Sequence, residues 1–250
     1  MKEYTIMKNI LLTILILTNL TLATENYLGM YSTEVTEREL KDKYCKNNEN
    51  GDEFCMEYTL TYPTLLKSEN SELISKIEKI VEEKIRVFKK LNAKSRVLSL
   101  LSDEPDLTWS WEDRTRIKLY ATTEKSFTLA IINYNYSGGA HANRTVEYEN
   151  YAIKNGKELE IKDIFVNGYS DKLTSIANRY YRESNKLSAN DSLTKIGWYG
   201  DKFILSDNVA ITTEGLEFLY NPYEIKPHIA GITTFLLPYN KITSIMKSDK

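Results

Sequence analysis

The sequence predicts an α+β fold: antiparallel sheets with a few packed helices, arranged as two small subdomains. Three observations point there. Apolar and polar residues alternate over 54–62, 116–120, 126–136 and 145–153, the period of strands with one buried face. One long stretch instead places Leu73, Ile74, Ile77, Ile80, Val81, Ile85 and Phe88 at helical spacing. The strands come in runs with two or three helices set among them, which suggests antiparallel α+β architecture.

At the start of the chain, Lys2 and Lys8 precede the apolar run Ile10-Leu11-Leu12-Thr13-Ile14-Leu15-Ile16-Leu17, and Thr21-Leu22-Ala23 offers small residues for cleavage. These are the three parts of a secretory signal, so residues 1–23 are expected to be removed on export to the periplasm or beyond. Thr13, Thr18, Asn19 and Thr21 break the run, which falls short of the ~20 apolar residues that span a bilayer. No stable membrane insertion is expected after cleavage. Cys45 lies too far downstream to carry a lipid anchor. Residues 24–40 lack a clear period and read as a linker or edge segment.

Residues 41–154 form the predicted first subdomain. Its cysteines, Cys45 and Cys55, are the only two in the chain and flank Asn50-Gly51, a hairpin signal. A three-residue loop, Glu49-Asn50-Gly51 with Gly51 left-handed, sets Cys45 opposite Cys55; a two-residue turn sets it opposite Met56. A disulfide favours the longer loop and fits an exported chain; two free thiols are the alternative. The strand over 54–62 is expected to end at Pro63. Ser68-Glu69-Asn70-Ser71-Glu72 supplies an N-cap for the amphipathic helix, which should finish near Asn92. Glu124-Lys125 and Ser137-Gly138-Gly139 separate the strands that follow.

Residues 155–250 form the second subdomain. Asn155-Gly156 closes a hairpin, and a helix should begin at Ser170 or Asp171 and bury Leu173, Ile176, Ala177 and Tyr180. Short strands are expected at 203–205, 209–211, 216–218 and 232–237. Pro238 then opens a terminal helix containing Ile242 and Ile245.

Chemistry-bearing residues are sparse. The net charge of −2 and a pI near 5.9 leave no electrostatic footprint for nucleic acid. His141 and His228 are the only histidines, and neither has a nearby ligand set for zinc. No metal site and no cofactor are expected. Ser137 beside His141 lacks the small-residue frame of a nucleophile elbow. The stretch Tyr136-Ser137-Gly138-Gly139-Ala140-His141 reads as a sharp strand connection, or as a binding loop flanked by Tyr134 and Tyr136. Eighteen tyrosines against seven phenylalanines suit surfaces that meet protein or sugar, or half-buried strands. Trp109 and Trp111 are expected to share one strand face.

The order of segments resembles the RsiV/PdaC-like family. It is carried by Tyr62-Pro63, Tyr136-Ser137-Gly138-Gly139-Ala140-His141, Asn155-Gly156-Lys157-Glu158-Leu159 and Asp163-Ile164-Phe165, then by Phe203-Ile204-Leu205, Gly215-Leu216-Glu217-Phe218, Tyr223-Glu224-Ile225, Ala230-Gly231 and Leu237-Pro238-Tyr239. The family includes the lysozyme-binding extracellular part of an anti-sigma factor and the non-catalytic part of a peptidoglycan deacetylase. The resemblance therefore implies a non-enzymatic exported module whose partner is a lysozyme-like protein or peptidoglycan. With about nine residues before the apolar run and only two histidines, neither a sigma-binding segment nor a deacetylase metal centre is expected. Tyr136, Ser137, Gly138, Gly139, His141, Tyr223 and Glu224 are the candidate binding residues, with Pro222 and Pro227 around the last two. The rival expectation is a cell-wall hydrolase or deacetylase accessory using Glu214, Glu217 and Glu224.

Overall fold

A computed structural model describes residues 28–31, 33–47, 50–103 and 110–248. The predicted signal segment, Glu49 and Trp109 lie outside the described residues. A six-stranded sheet comprises β1 (Leu28–Gly29), β2 (Thr33–Asn47), β3 (Glu53–Ser68), β4 (Trp111–Thr122), β5 (Ser126–Tyr136) and β6 (Asn143–Ala152). Its order is β2-β3-β4-β5-β6, with β1 also paired to β4. A second sheet of three strands is ordered β7 (Val209–Ile211), β8 (Gly215–Tyr220) and β9 (Thr233–Pro238). The helices are α1 (Ser71–Leu91), α2 (Lys94–Asp103), α3 (Ile161–Ile164), α4 (Ser170–Ser184) and α5 (Tyr239–Ile242).

Helix α1 forms where its periodicity predicts. Asn70 Oδ1 accepts the Leu73 amide at 3.0 Å, satisfying one orphan donor, and Lys89 and Lys90 complement the dipole at the other end. Leu73, Ile77 and Val81, four residues apart, are buried against Leu60, Ile117, Leu119, Phe127 and Leu129 of the sheet. Each such burial contributes about 1.5–3 kcal/mol.

The mixed α+β class holds, but the large sheet is not wholly antiparallel. β3 and β4 pair in parallel, Met56 with Trp111 through Thr61 with Arg116. A parallel pair needs a long crossover, and α1 with α2 supplies it. Helix α2 has no counterpart in the sequence expectation because its apolar stripe is short; its Val97 is buried in the cluster with Met56 and Tyr58. Pro63 does not end β3, which runs on to Ser68. Past Thr61 the strand has no β4 partner, so the missing proline N–H costs no ladder bond there. Within the expected linker or edge segment, residues 33–40 are the first half of β2, the edge strand of the large sheet.

Cys45 stands opposite Cys55 and is bridged to it, and Gly51 has φ +89°. Further on, α4 begins at Ser170 and buries Leu173, Ala177 and Tyr181. Tyr181 is the fully buried tyrosine because the stripe continues by four residues from Ala177, and the expected Ile176 and Tyr180 are partly buried against the same core. Residues 203–205 are not a strand. They cross the second core as irregular chain, with Phe203 stacked 5.5 Å from Trp198 and the Ile204 carbonyl accepting the Tyr220 hydroxyl at 2.7 Å.

The two sheets meet along a seam. Alternation on β8 turns Leu216, Phe218 and Tyr220 into the second core and Glu217 and Leu219 toward the first sheet. Asparagine side chains then act as a substitute strand along the outer edge of β6. Asn208 accepts the Tyr148 amide at 2.8 Å and donates to the Val146 carbonyl at 2.6 Å. Asn221 accepts the Val146 amide at 2.7 Å. Asn150 donates to the Val209 carbonyl at 2.7 Å and accepts from Ile211 N at 2.9 Å and Thr128 Oγ1 at 2.7 Å. An edge that would otherwise offer unpaired groups is closed.

Candidate functional site

The Asn221 anchor places the first candidate loop. Beyond it the chain turns tightly: Asn221 N donates to Glu224 Oε2 at 3.0 Å, Glu224 N to the Asn221 carbonyl, and Tyr223 N to the Lys226 carbonyl at 3.1 Å. Tyr223 sits at φ +72°, a left-handed conformation that bulky residues avoid at a cost of about 1–3 kcal/mol. The strained turn leaves Tyr223 56% exposed. A single 3-10 turn over His228–Ala230 follows, between Pro227 and Gly231, and holds Ile229 96% exposed.

The second candidate loop joins β5 to β6. Gly138 and Gly139 have φ +97° and +98°, a reversal that side-chain-bearing residues would resist. Tyr136 Oη donates to the Gly139 carbonyl at 3.3 Å and braces the bend. Ser137 and His141 are exposed. His141 Nδ1 lies 3.3 Å from the Ala142 carbonyl, and its ring stacks on His228 with centroids 4.0 Å apart and planes 16° from parallel. His228 in turn lies 5.3 Å from the Tyr223 ring.

The structure thus joins the two candidate segments through the only histidines of the chain. His141, His228, Tyr223 and the exposed Ile229 form one surface, with Tyr136, Gly138 and Gly139 as its frame. Ser137 makes no hydrogen bond to His141 among the described residues, so no nucleophile–base pair is formed. Glu224 ties its own turn instead of projecting free. Sequence reading missed Ile229 and the pairing of His228 with His141. The available signal was an isoleucine stranded between Pro227 and Gly231.

A different arrangement fills the seam. Tyr120 and Tyr148 donate to the same oxygen of Glu217, at 2.6 and 2.7 Å, with their rings 4.7 Å apart. Burial, then donation to Glu217, pushes the Tyr120 phenol up to about 12, and the Tyr148 phenol is raised further, again chiefly by burial. Glu217 and Glu224 have separate local partners and do not make a carboxylate pair. Among the described residues the one grouping with metal-ligand atoms close together is Cys45, Glu53 and Cys55, whose thiols are spent in the disulfide.

Fold and loops together define an α+β protein of two sheets sharing one seam, with its exposed loop cluster at the end of that seam. Residues 49–144 match the family described as "Deacetylase PdaC", and residues 162–240 match "Protein of unknown function (DUF3298)". The chain therefore carries a PdaC-like segment followed by a DUF3298-like one. It is similar to the peptidoglycan-N-acetylmuramic acid deacetylase PdaC of Bacillus subtilis, 23% identical over 194 residues. That match takes in 77% of this chain and 39% of the relative, so the chain spans about two fifths of that protein's length. Two crystal structures share the fold. A DUF3298 family member from Bacteroides fragilis has a TM-score of 0.60 at 18% identity, covering 89% of this chain and 96% of that one. A DUF3298 family protein from Pseudomonas aeruginosa has a TM-score of 0.58 at 21% identity, covering 84% and 94%.

Proposed function

We propose that the chain is an exported, non-enzymatic binding module of the cell envelope that uses the loop cluster around His141 and His228 to hold peptidoglycan. The observation that carries this reading is the cluster itself. Two segments about 80 residues apart in sequence meet through stacked imidazoles, and they present Tyr223 and Ile229 on constrained backbone. Pre-formed exposed aromatic and aliphatic side chains suit recognition, because little ordering entropy remains to be lost on binding. The name of the Bacillus relative supports the wall as ligand, and the disulfide fits a periplasmic or secreted location. No helix among the described residues is long and apolar enough to cross a membrane.

The test is sedimentation of the purified, disulfide-bonded chain with insoluble peptidoglycan, alongside capture on immobilised lysozyme. Saturable retention on peptidoglycan that Tyr223→Ala and Ile229→Ala weaken about tenfold, at unchanged melting temperature, is the expected result. Retention on lysozyme alone would replace the wall by a lysozyme-like enzyme as partner. Binding to neither would refute the module reading, and turnover of peptidoglycan would move it to the enzyme class.

A further inference from the structure

Strand β2 ends the large sheet, and among the described residues no strand pairs with its outer side. It is long, 15 residues, and its middle is regular, because the one bulge in its pairing with β3 lies between Glu34 and Val35. Helix α2 contacts β2, with Val97 and Tyr44 in one cluster, yet Arg38, Glu39, Lys41, Asp42 and Lys43 stay exposed. A long edge without a strand partner offers a row of unpaired N–H and C=O groups to any compatible strand. The side chains of this edge carry a symmetric pattern of charge. Reading outward from Leu40, Glu39 is matched by Lys41, Arg38 by Asp42, and Glu37 by Lys43. Each of these three residues before Leu40 is matched by one of opposite sign at the same distance after it.

We propose that β2 is a self-recognition edge: two copies of the chain pair their β2 strands antiparallel about a two-fold axis at Leu40, joining the two large sheets into one. In that register Glu39 of one copy lies directly opposite Lys41 of the other, Arg38 opposite Asp42, and Glu37 opposite Lys43. The axis repeats each pair, giving six complementary contacts, and directly opposed opposite charges stabilise an antiparallel pair. Opposed residues share a sheet face, so Leu40, which packs against the core under α1, meets Leu40 of the second copy on that face.

The pattern also rejects the alternatives. Sliding the strands by one residue sets Arg38 against Lys41 and Glu37 against Asp42, or Glu39 against Asp42 and Arg38 against Lys43. Sliding by two sets Glu39 against Glu39 or Lys41 against Lys41 and keeps only two of the six complementary contacts. Parallel in-register pairing sets every charge against its like. Charged edges ordinarily prevent association; this one has the most complementary contacts in the register centred on Leu40. Glu37 and Lys41 already bind Arg116 (2.7 Å) and Glu57 (2.5 Å) within the chain, so the second copy would extend those pairs into networks along the same face. An isologous contact of this kind closes on itself and stops at two chains.

The experiment is sedimentation velocity of the purified, disulfide-bonded chain over a range of concentration and salt. Arg38 and Asp42 are exposed, so reversing their charges leaves the fold intact, and a thermal melt checks this. The wild-type chain should dimerise, less tightly as salt screens the pairs. Arg38→Asp and Asp42→Arg each set like charges face to face twice and should weaken the dimer by about tenfold or more. The double variant Arg38→Asp/Asp42→Arg should restore it. A chain that stays monomeric up to about 1 mM overturns the proposal. So does a dimer indifferent to the single reversals, or one that the double variant fails to rescue.

Discussion

The two halves of the molecule bury their cores by different means. The first lays one long helix across strands of ten residues or more, and its core is mostly aliphatic: Leu60, Leu73, Ile77, Val81, Ile117, Leu119 and Leu129. The second has three strands of three to six residues, and irregular chain supplies much of its interior. There Tyr181, Trp198, Phe203, Phe218, Tyr220 and Phe235 contact one another with ring centroids 5.0–6.4 Å apart. Short strands give few ladder bonds and little repeating surface. A few large rings with polar handles compensate: Trp198 Nε1 donates to the Tyr181 hydroxyl at 3.1 Å, and the Tyr220 hydroxyl reaches the Ile204 carbonyl.

The largest effect should come from emptying the aromatic core. Trp198→Ala is expected to cost about 3–5 kcal/mol, from lost transfer energy, a cavity and an orphaned Tyr181 partner. Chemical denaturation followed by far-UV circular dichroism measures it. If the loss is under about 1 kcal/mol, the rings are not what holds the second half together.

The seam comes next. Asn150→Ala removes three hydrogen bonds and strands Ile211 N and the Val209 carbonyl away from water, at a cost of about 2–3 kcal/mol. Hydrogen exchange should then show β7 and the edge of β6 opening together. Protection unchanged at both would mean that the halves adhere by apolar contact alone.

Reduction of Cys45–Cys55 should cost about 2–3 kcal/mol, through the entropy regained by a short loop. The change should fall in the first half, so near-UV signals of Trp198 should be insensitive to dithiothreitol at moderate denaturant. A coincident loss in both halves would show one cooperative unit.

The smallest effect is alkaline. The Tyr120 and Tyr239 phenols are both pushed up to about 12, chiefly by burial, whereas an unfolded chain ionises them near 10. The folded state therefore holds more protons above pH 10. Stability from these groups is full below about pH 10 and is lost as pH rises toward 12. Tyr120→Phe should flatten that decline at the seam and Tyr239→Phe in the second half; denaturation midpoints between pH 9 and 11.5 read both.

The comparison also explains what was legible. Alternation over 126–136 and the helical stripe from Leu73 are local periodicities, and both became the expected elements. Gly215 belongs with them as a motif, but its role needed the structure. Any Cβ there would collide with the Leu237 carbonyl across β8–β9. Residues 203–205 looked like a strand because Phe, Ile and Leu are apolar in either case; no ladder partner reaches them. Tyr136, Ser137, Gly138, Gly139 and His141 could be picked out in sequence, as could Tyr223 and Glu224. That the two groups share a surface could not be.

By itself the sequence determined the α+β class, α1 and its cap and the strands over 126–136 and 145–153, and it narrowed the cysteine register across Asn50-Gly51 to two turn lengths. Each follows from residue spacings of a few positions, where backbone geometry alone decides which side chains share a face. Only the tertiary structure decided the parallel β3–β4 crossover, the asparagine seam, the stacking of His141 on His228, and β2 as the edge. Those depend on which distant segments become neighbours, and that choice is made by the sum of buried area and satisfied polar groups over the whole chain.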